Sequence, residues 1–180
     1  MIYKVIAKVI ALRLKPILSE VVSEEQFGFL HNRQIHDAVS LSKEEIHTIK
    51  KENQCAFSLK LNLSKAYDRV NWTFVRLLLI QIGMTMEMVD WVMGCIQSIS
   101  FVVLINGSPS SFFRPTRGIR KGCPLSPLLF MLVIEALSHL IGLAKLEEAV
   151  KGVNVSKRNF ITRLLFVDDV LICLLGSMDE

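Results

Sequence analysis

The sequence lacks the cysteine patterns that mark metal sites and disulfide frameworks. Its four cysteines, Cys55, Cys95, Cys123 and Cys173, are scattered, with no C-x-x-C pair and no histidine at metal-ligand spacing. Zinc-binding folds and small disulfide-stapled folds are therefore excluded as the class of protein. Unpaired, scattered cysteines are typical of a reducing compartment, which is where we expect the chain to reside.

The sequence also lacks the hydrophobic runs that target or anchor a chain. The first ten residues mix lysines with apolar residues and have no small-residue cleavage site, so they do not form a signal peptide. The long uncharged stretch that includes residues 92–113 contains Gly94, Asn106-Gly107 and Pro109, which would interrupt a membrane helix. We expect a chain that is not secreted and has no membrane partner. Nucleus or cytoplasm, and the oligomeric state, remain open.

The composition provides for one apolar core. The 180 residues are 51% hydrophobic with a mean hydropathy of +0.42, and they contain no repeat or low-complexity linker that would mark a domain boundary. The net charge of +4 and the pI near 8.9 are compatible with a polyanionic partner but are too small to establish one.

Two adjacent carboxylates, Asp168 and Asp169, stand in the middle of the apolar stretch LLFVDDVLIC, residues 164–173. The flanking residues predict two short buried strands, with the aspartates at the tip of the hairpin that joins them. Aspartate is common in turns because its side chain bonds nearby backbone amides. It is also a preferred ligand of Mg²⁺. Both interpretations stay open from these residues alone, and the metal site requires a third carboxylate nearby.

An earlier stretch, residues 57–64, alternates strictly between apolar and polar positions and predicts a half-buried strand. The expected inward positions are Phe57, Leu59, Leu61 and Leu63, and the opposite positions are Ser58, Lys60 and Asn62. Asn62 is therefore expected on a presented surface and not in the core.

Helical periodicity accounts for much of the remaining chain. Residues 2–14 predict an amphipathic helix that ends at Pro16, with the apolar stripe Ile2, Val5, Ile6, Val9 and Leu12 and the basic stripe Lys4, Lys8 and Lys15. Residues 37–51 and 86–97 predict two more helices, and Asn71 is the expected N-cap of another. Asn106-Gly107, between residues 101–105 and 111–113, predicts a hairpin.

Residues 117–127 form a basic, glycine-containing loop that leads into a helix capped by Ser126. One interpretation is an ordinary loop before a helix. The other is a backbone segment that approaches a nucleotide or a template strand, with Arg120 and Lys121 contacting phosphate.

The order of these segments resembles a known family. LKLNLSKAYDRVNW (residues 59–72), RGIRKGCPLSPLLF (117–130) and LLFVDD (164–169) resemble the palm motifs of reverse transcriptases of plant non-LTR, LINE-type retrotransposons. YKVIAKVIALRLKPIL (3–18) and QFGFLHNRQIHDA (26–38) resemble the fingers-side region of the same family. The resemblance extends over essentially the whole chain.

The resemblance implies an α+β fold: a fragment of the fingers and palm of a right-hand polymerase, with an antiparallel palm sheet backed by helices. Residues 1–55 would be the fingers-side region, and residues 56–180 mostly palm with intervening fingers elements. Because only eleven residues follow Asp169, the thumb is expected to be missing.

The resemblance also implies an RNA-directed DNA polymerase that uses two Mg²⁺ ions, or Mn²⁺, with an RNA template, a DNA primer and deoxynucleoside triphosphates. Asp168 and Asp169 would be catalytic metal ligands, and Tyr67 would sense the sugar of the incoming nucleotide. The residues expected to contact the nucleotide or template are Tyr67, Arg120, Lys121, Gly122, Pro124 and Ser126.

The chain departs from the family at a position that matters for this chemistry. Asn62 stands where the family has its first catalytic aspartate, and an amide is a neutral, weaker ligand for a hard dication. Lys121 replaces a glutamine, Arg163 replaces a histidine, and Asp68 is expected to be structural. We therefore expect impaired polymerase activity. Two alternatives stay open: a non-catalytic nucleic-acid-binding remnant, and a translated relic with no selected function.

Overall fold

The computed structural model describes residues 2–29, 33–156 and 159–176. The chain forms two compact units, one made of Met1–Leu18 and Lys65–Val133 and the other of Ser19–Ser64 and Ile134–Glu180. In chain order the elements are α1 (Ile2–Val21), α2 (Ile35–Lys51), β1 (Ala56–Asn62), α3 (Ala66–Arg69), α4 (Trp72–Gln81), α5 (Met86–Gln97), β2 (Leu104–Ile105), β3 (Ser108–Pro109), α6 (Ser126–Leu146), β4 (Val153–Ser156), β5 (Asn159–Ile161), β6 (Arg163–Phe166) and β7 (Asp169–Leu175).

The first unit is mainly helical, and side-chain caps determine where its central helices begin. Asn71 Oδ1 accepts a hydrogen bond from the Phe74 amide at 3.1 Å, which confirms the predicted cap of α4. Thr85 Oγ1 accepts one from the Met88 amide at 3.4 Å at the start of α5. Each helix buries one apolar face, and the fully buried side chains of this unit include Ala7, Leu14, Val75, Leu79, Val89, Val92, Leu125 and Leu129.

Helix α1 differs from its prediction in length and in orientation. It continues through Pro16 to Val21, and its buried residues are Ala7, Ile10, Ala11, Leu14 and Leu18. The predicted apolar stripe, including Ile2, Val5 and Leu12, is exposed instead. The sequence offers two apolar stripes on this helix, and the buried one carries alanines that allow close packing. Burial of leucines on both sides of Pro16 offsets the backbone hydrogen bond that proline cannot donate.

The predicted hairpin around Asn106-Gly107 is confirmed. Asn106 and Gly107 have φ values of 50° and 84°, the left-handed conformations that a type I′ turn requires, and the turn joins β2 to β3. An isolated antiparallel bridge between Phe101 and Phe113 extends the pairing, with backbone N–H···O distances of 2.9 and 3.0 Å.

Helix α6 is, within the described part of the chain, the one helix long and apolar enough to span a membrane. Leu128, Leu129, Phe130, Met131 and Leu132 in its first half are buried, as in the core helix of a folded domain. The uncharged span of residues 92–113 is divided among α5, β2 and β3 and does not form one helix.

The second unit contains the antiparallel sheet, with strand order β1-β7-β6. Helix α2 packs on one face of it, where Ala38 and Leu41 meet Leu164, Phe166 and Leu171. Strands β4 and β5 form a separate antiparallel pair. The expected α+β architecture, an antiparallel sheet backed by helix, is therefore present.

Strand β1 was expected to bury Phe57 and Leu59, and that prediction is wrong. These side chains are 52% and 47% exposed. Residues 57–60 are all exposed, so burial does not alternate along this part of the strand. Helix α2 packs on the opposite face of the sheet, to which Leu171, the pairing partner of Lys60, contributes. Strand β1 is also at the edge of this sheet, so its other face has fewer neighbours to cover it.

Candidate active site

The two aspartates lie at the end of the hairpin formed by β6 and β7, residues 163–175, called the carboxylate hairpin below. Phe166 pairs with Asp169, which leaves Val167 and Asp168 as a two-residue turn. Both aspartates are exposed, whereas the strand residues Leu164, Leu165 and Val170 are buried. The predicted buried strands with acids at the tip are confirmed.

Asn62 lies beside this turn because β1 and β7 are paired over their full lengths. The register sets Asn62, the last residue of β1, opposite Asp169, the first residue of β7. Directly opposed residues in an antiparallel pair project from the same face. The structure therefore brings together Asn62 and Asp169, with Asp168 adjacent in the chain.

Sequence reasoning did not include Lys60 among the site residues. Its Nζ lies 3.3 Å from Asp169 Oδ1, and both side chains are exposed. The signal was available in part, since the alternation of residues 57–64 placed Lys60 on the face of Asn62. What the alternation could not give was the register that puts Asp169 within reach.

The donors at this end of the hairpin fit a weakly held divalent cation. Carboxylate and amide oxygens are the hard donors that Mg²⁺ and Mn²⁺ accept. Among the residues described, no three His, Cys, Asp or Glu side chains form a metal-binding group. Asp168 and Asp169 would hold such an ion, with the Asn62 amide oxygen beside Asp169 as a weaker donor. When bound, the ion would supply positive charge to neutralise phosphate oxygens.

Arg163, at the base of the carboxylate hairpin, is buried but well partnered. Its Nε donates to Ser138 Oγ at 2.6 Å, and its Nη2 lies 3.6 Å from Glu25 Oε1. Ser23 Oγ donates to Glu135 Oε2 at 3.1 Å in the same cluster, and burial raises the pKa of the Glu135 carboxyl. Arg163 is therefore part of a buried polar network.

A second buried acid lies on α2, beneath the sheet. Glu45 is almost completely buried, and desolvation raises the pKa of its carboxyl. Burial also raises the pKa of the neighbouring Cys173 thiol to about 11. Cys173 Sγ lies 3.3 Å from Ser58 Oγ, so this thiol is a packed, protonated group. Nothing in the local sequence distinguishes Glu45 from the exposed acids beside it.

The remaining predicted site residues lie in the first unit, on or beside residues 117–125, called the basic loop below. Backbone hydrogen bonds tie this loop to the segment around α3: Gly118 N donates to Val70 O at 2.7 Å and Ile119 N to Tyr67 O at 2.9 Å. Trp72 Nε1 donates to Gly118 O at 2.7 Å. Gly118 has a φ of +91°, and a Cβ there would lie 2.9 Å from Asp68 O. Only glycine fits this position.

Two cationic side chains of the basic loop have partners within the unit. Lys121 Nζ lies 3.7 Å from Asp68 Oδ2, and the Arg120 guanidinium lies 5.9 Å from the centroid of the Tyr3 ring. Burial and the neighbouring Cys123 thiol, 3.2 Å from the hydroxyl, raise the pKa of Tyr3. Asp68, expected to be structural, pairs with one of the three loop cations.

Tyr67 and the end of the loop occupy different environments. The Tyr67 ring stacks on Phe130, with centroids 4.7 Å apart and an interplanar angle of 16°. Gly122, with a φ of 77°, and Pro124 are exposed, but Ser126 is 2% exposed at the start of α6. The Ser126 side chain is therefore buried, whereas Gly122 and Pro124 lie at the surface.

A groove of about 460 Å³ runs beside the basic loop. Arg117, Arg120, Lys121 and Asp68 line it together with Phe101 and Phe113, whose rings are 6.0 Å apart and tilted by 35°. Cations beside exposed aromatic rings suit a single-stranded nucleic acid, in which phosphates alternate with unstacked bases. The sequence predicted the hairpin that carries these two rings but not their place beside the loop.

Comparison with known proteins agrees with this architecture. Residues 1–179 match the family model described as reverse transcriptase (RNA-dependent DNA polymerase). The chain is similar to the telomerase from Candida albicans, solved with a fragment of telomeric RNA, at a TM-score of 0.63 and 12% identity. That match covers 96% of this chain and 30% of the telomerase chain, and at this identity it establishes the fold alone.

Similar sequences come from mobile elements. The chain is 33% identical over 139 residues to the transposon TX1 149 kDa protein of Xenopus laevis, which covers 77% of this chain and 11% of that protein. It is 25% identical over 114 residues to the Pol polyprotein of a type-1 R2 retrotransposable element of Popillia japonica, covering 63% and 18%. It is 45% identical over 67 residues to the Arabidopsis thaliana mitochondrial protein AtMg01250, covering 37% and 55%.

The chain thus spans between about a tenth and about half of the length of these relatives. The family model matches nearly every residue, and the relatives include a transposon and a retrotransposable element. The chain belongs to the reverse transcriptase family, as a reverse transcriptase domain of the non-LTR retrotransposon group.

Proposed function

We propose that this chain is a reverse transcriptase domain that retains a surface for RNA but has lost most of its capacity for DNA synthesis. The observation that carries the proposal is the pairing of Asn62 with Asp169 at the tip of the carboxylate hairpin. A carboxylate at position 62 would be the third anionic ligand of the site. An amide offers one neutral oxygen instead and contributes no negative charge.

The chemistry of phosphoryl transfer explains why this single substitution weighs heavily. Polymerases that use two Mg²⁺ ions depend on charge neutralisation and positioning at the reacting phosphate. In this chain Asp168 and Asp169 would serve as the ligands, and a DNA primer and deoxynucleoside triphosphates would be the substrates. Lys60 adds a competing cation, because its Nζ is 3.3 Å from Asp169 Oδ1.

The groove beside the basic loop supports RNA as the retained partner. Arg117, Arg120 and Lys121 supply cations, and Phe101 and Phe113 supply rings on which bases stack. Motif resemblance and 45% identity to an Arabidopsis thaliana protein over 67 residues support a plant element as the source, as part of the same proposal.

The decisive experiment is Mg²⁺-dependent primer extension on an RNA template with the purified chain and its Asn62→Asp variant. We expect little extension by the unmodified chain and at least about tenfold more by Asn62→Asp, since one lost metal ligand or its close support typically costs about 10–100-fold. Asn106→Asp, in the exposed β2–β3 turn, is the matched control and is expected to change nothing. Equal extension by the unmodified chain and Asn62→Asp would refute the lesion at position 62.

The groove also favours a second candidate function, RNA binding without catalysis. A double variant, Arg120→Gln with Lys121→Gln, should weaken RNA binding and lower the steepness of its salt dependence, because each lost phosphate contact on a single strand reduces the slope by about 0.7. Lys43→Gln on the exposed side of α2 is the control. Undetectable RNA binding by a cooperatively folded chain would remove this candidate and favour a relic without selected function.

A further inference from the structure

The turn of the carboxylate hairpin has a conformation that its own sequence disfavours. Val167, the first turn residue, has a φ of 58°. A positive φ at the first position of a two-residue hairpin turn favours glycine, and a β-branched side chain is strained there. Strained residues of this kind persist only where the surrounding structure imposes their conformation.

Gln26 contacts this turn from 141 positions earlier in the chain. Its side chain is completely buried, and its Oε1 accepts hydrogen bonds from the Val167 amide at 3.3 Å and the Gly28 amide at 2.9 Å. Both partners are N–H donors, so the amide oxygen and not the NH₂ group must face them. The contact therefore fixes both Gln26 and the Val167 backbone.

The segment that carries Gln26 is itself fixed to β6. Phe27 N donates to Leu165 O at 2.9 Å and Leu165 N donates to Glu25 O at 2.9 Å, around a parallel bridge between Gln26 and Leu165. The Arg33 guanidinium adds hydrogen bonds to backbone carbonyls of the same segment, including Gln26 O at 2.8 Å. Gln26 thus reaches the turn from a rigid support.

Gly28 leaves the space that the Val167 side chain occupies. A Cβ atom at Gly28 would lie 2.6 Å from Val167 Cγ2 and 3.1 Å from Val167 N. Any residue larger than glycine at this position would therefore clash with Val167. Gln26 holds the backbone of Val167, and Gly28 accommodates its side chain.

We propose that Gln26 and Gly28 form a clamp that holds Val167 in its left-handed conformation and thereby sets the direction of Asp168 and Asp169. Gln26 is in this sense a positioning residue. The clamp stands on the contacts above, and only its consequence for metal binding rests on the function proposed in the previous subsection.

The first test is amide hydrogen exchange in the full chain, read by NMR. Gln26→Met keeps the approximate volume and removes the acceptor, so the Val167 amide should exchange about tenfold faster, as expected for one lost buried hydrogen bond. Gln97→Met, at an exposed position of α5, is the matched control and should leave Val167 unchanged. Unchanged exchange at Val167 in Gln26→Met would overturn the clamp.

The second test separates positioning from general stabilisation. Glycine adopts a φ near 58° without strain, so Val167→Gly should make the turn independent of Gln26. The amide chemical shifts of Asp168 and Asp169, displaced in Gln26→Met, should return to those of the Val167→Gly single variant when both changes are combined. If the Asp168 and Asp169 shifts stay displaced in the double variant, Gln26 stabilises only its own segment and does not position the turn.

Gly28→Ala tests the same clamp from its other side if Gln26→Met does not fold. It should displace the Asp168 and Asp169 amides, and Val167→Gly should relieve the displacement by removing Cγ2. Gly94→Ala in α5, where a Cβ meets nothing within 4 Å, is the control. An undisturbed turn in Gly28→Ala would overturn the proposal.

Metal binding gives a further readout. Circular dichroism must be unchanged in each variant, so that a loss of Mn²⁺ binding is not caused by unfolding. With Asn62→Asp as background, Mn²⁺ should broaden the amides of the turn, and adding Gln26→Met should weaken Mn²⁺ binding by about tenfold. Equal Mn²⁺ affinity with and without Gln26 would contradict the positioning role. Absence of Mn²⁺ binding in Asn62→Asp itself would count against the proposed function, while exchange and rescue still decide the clamp.

Discussion

The carboxylate hairpin and the basic loop carry the two parts of the expected chemistry, and they are held in place by different means. Buried and half-buried side chains distant in sequence fix the hairpin: Ser138 and the half-buried Glu25 bind Arg163 at its base, and Gln26 binds Val167 at its tip. The basic loop depends on backbone hydrogen bonds and on the exposed ion pair between Lys121 and Asp68. Carboxylates that share a metal ion must be positioned accurately. Long, flexible lysine and arginine side chains can contact a phosphate from many positions.

The largest expected effect tests the buried support of the hairpin. Arg163→Met retains much of the volume but leaves Ser138 Oγ and Glu25 without their donor, so the free energy of unfolding should fall by about 2–4 kcal/mol. Urea denaturation followed by circular dichroism measures it. Arg76→Met is the matched control, because the Arg76–Asp90 pair at 2.9 Å is exposed and should contribute less than about 1 kcal/mol. Equal losses of unfolding free energy in Arg163→Met and Arg76→Met would mean that the buried contacts of Arg163 stabilise the fold no more than an exposed ion pair.

Gly118→Ala tests the backbone support of the basic loop. The φ of +91° and the approach of a Cβ to 2.9 Å from Asp68 O predict a loss of about 1–3 kcal/mol in unfolding free energy. RNA affinity should fall as well, because the loop that presents Arg120 and Lys121 moves. Gly94→Ala, in an open helical position, should instead gain about 0.5–1 kcal/mol. A neutral Gly118→Ala would show that the loop tolerates rearrangement.

A smaller effect concerns Glu45, beneath the sheet. Burial raises the pKa of this carboxyl. At pH values between the unfolded and the folded pKa, the folded state therefore keeps a proton that the unfolded state releases. The stabilising contribution of the protonated Glu45 carboxyl is complete below the unfolded pKa of about 4.3. It is lost as pH rises through the raised folded pKa. Glu45→Gln should therefore stabilise by about 1–2 kcal/mol at pH 7.5 and by little at pH 4.

Urea titrations at the two pH values would check this expectation. Glu44→Gln, at the exposed neighbouring position of α2, is the control and should have similar stability at both pH values. A gain from Glu45→Gln that is the same at pH 4 and pH 7.5 would mean that ionisation of this residue does not limit stability.

The smallest expected effect is at the surface of the basic loop. Asp68→Asn removes the exposed partner of Lys121, 3.7 Å away, and should change the unfolding free energy by less than about 0.5 kcal/mol, an effect that salt screens. RNA affinity at low salt should rise slightly, because Lys121 becomes available to phosphate. A binding titration at two salt concentrations measures the change in RNA affinity. A large loss of unfolding free energy would mean that Asp68 stabilises the fold through more than its exposed ion pair with Lys121.

Local sequence patterns predicted a substantial part of this structure. The acids at the tip of a hairpin between buried strands, the presentation of Asn62, the Asn71 cap and the Asn106-Gly107 turn are all confirmed. Each depends on residues close together in the chain, where alternation, capping and turn preferences act directly.

The parts that sequence could not predict depend on choices between faces or on distant partners. Helix α1 had two apolar stripes, and the outward side of β1 at Phe57 depended on where α2 packs. The contact of Gln26 with Val167 and the ion pair of Lys60 with Asp169 join segments more than 100 positions apart. No local periodicity encodes such pairings, because strand register and packing are set by the whole fold.

Lys60 competes with any cation for the Asp169 carboxylate, because its Nζ already lies 3.3 Å from Asp169 Oδ1. Lys60 is a counter-ion attached to the strand next to Asp169, so its effective concentration at that carboxylate does not fall when the protein is diluted. A dication bound at the proposed site would have to displace this tethered ammonium group, while Asn62 would add no charge to help attract it. The site would therefore need a higher free dication concentration to reach the same occupancy, and this lower affinity would persist even where every carboxylate ligand is restored.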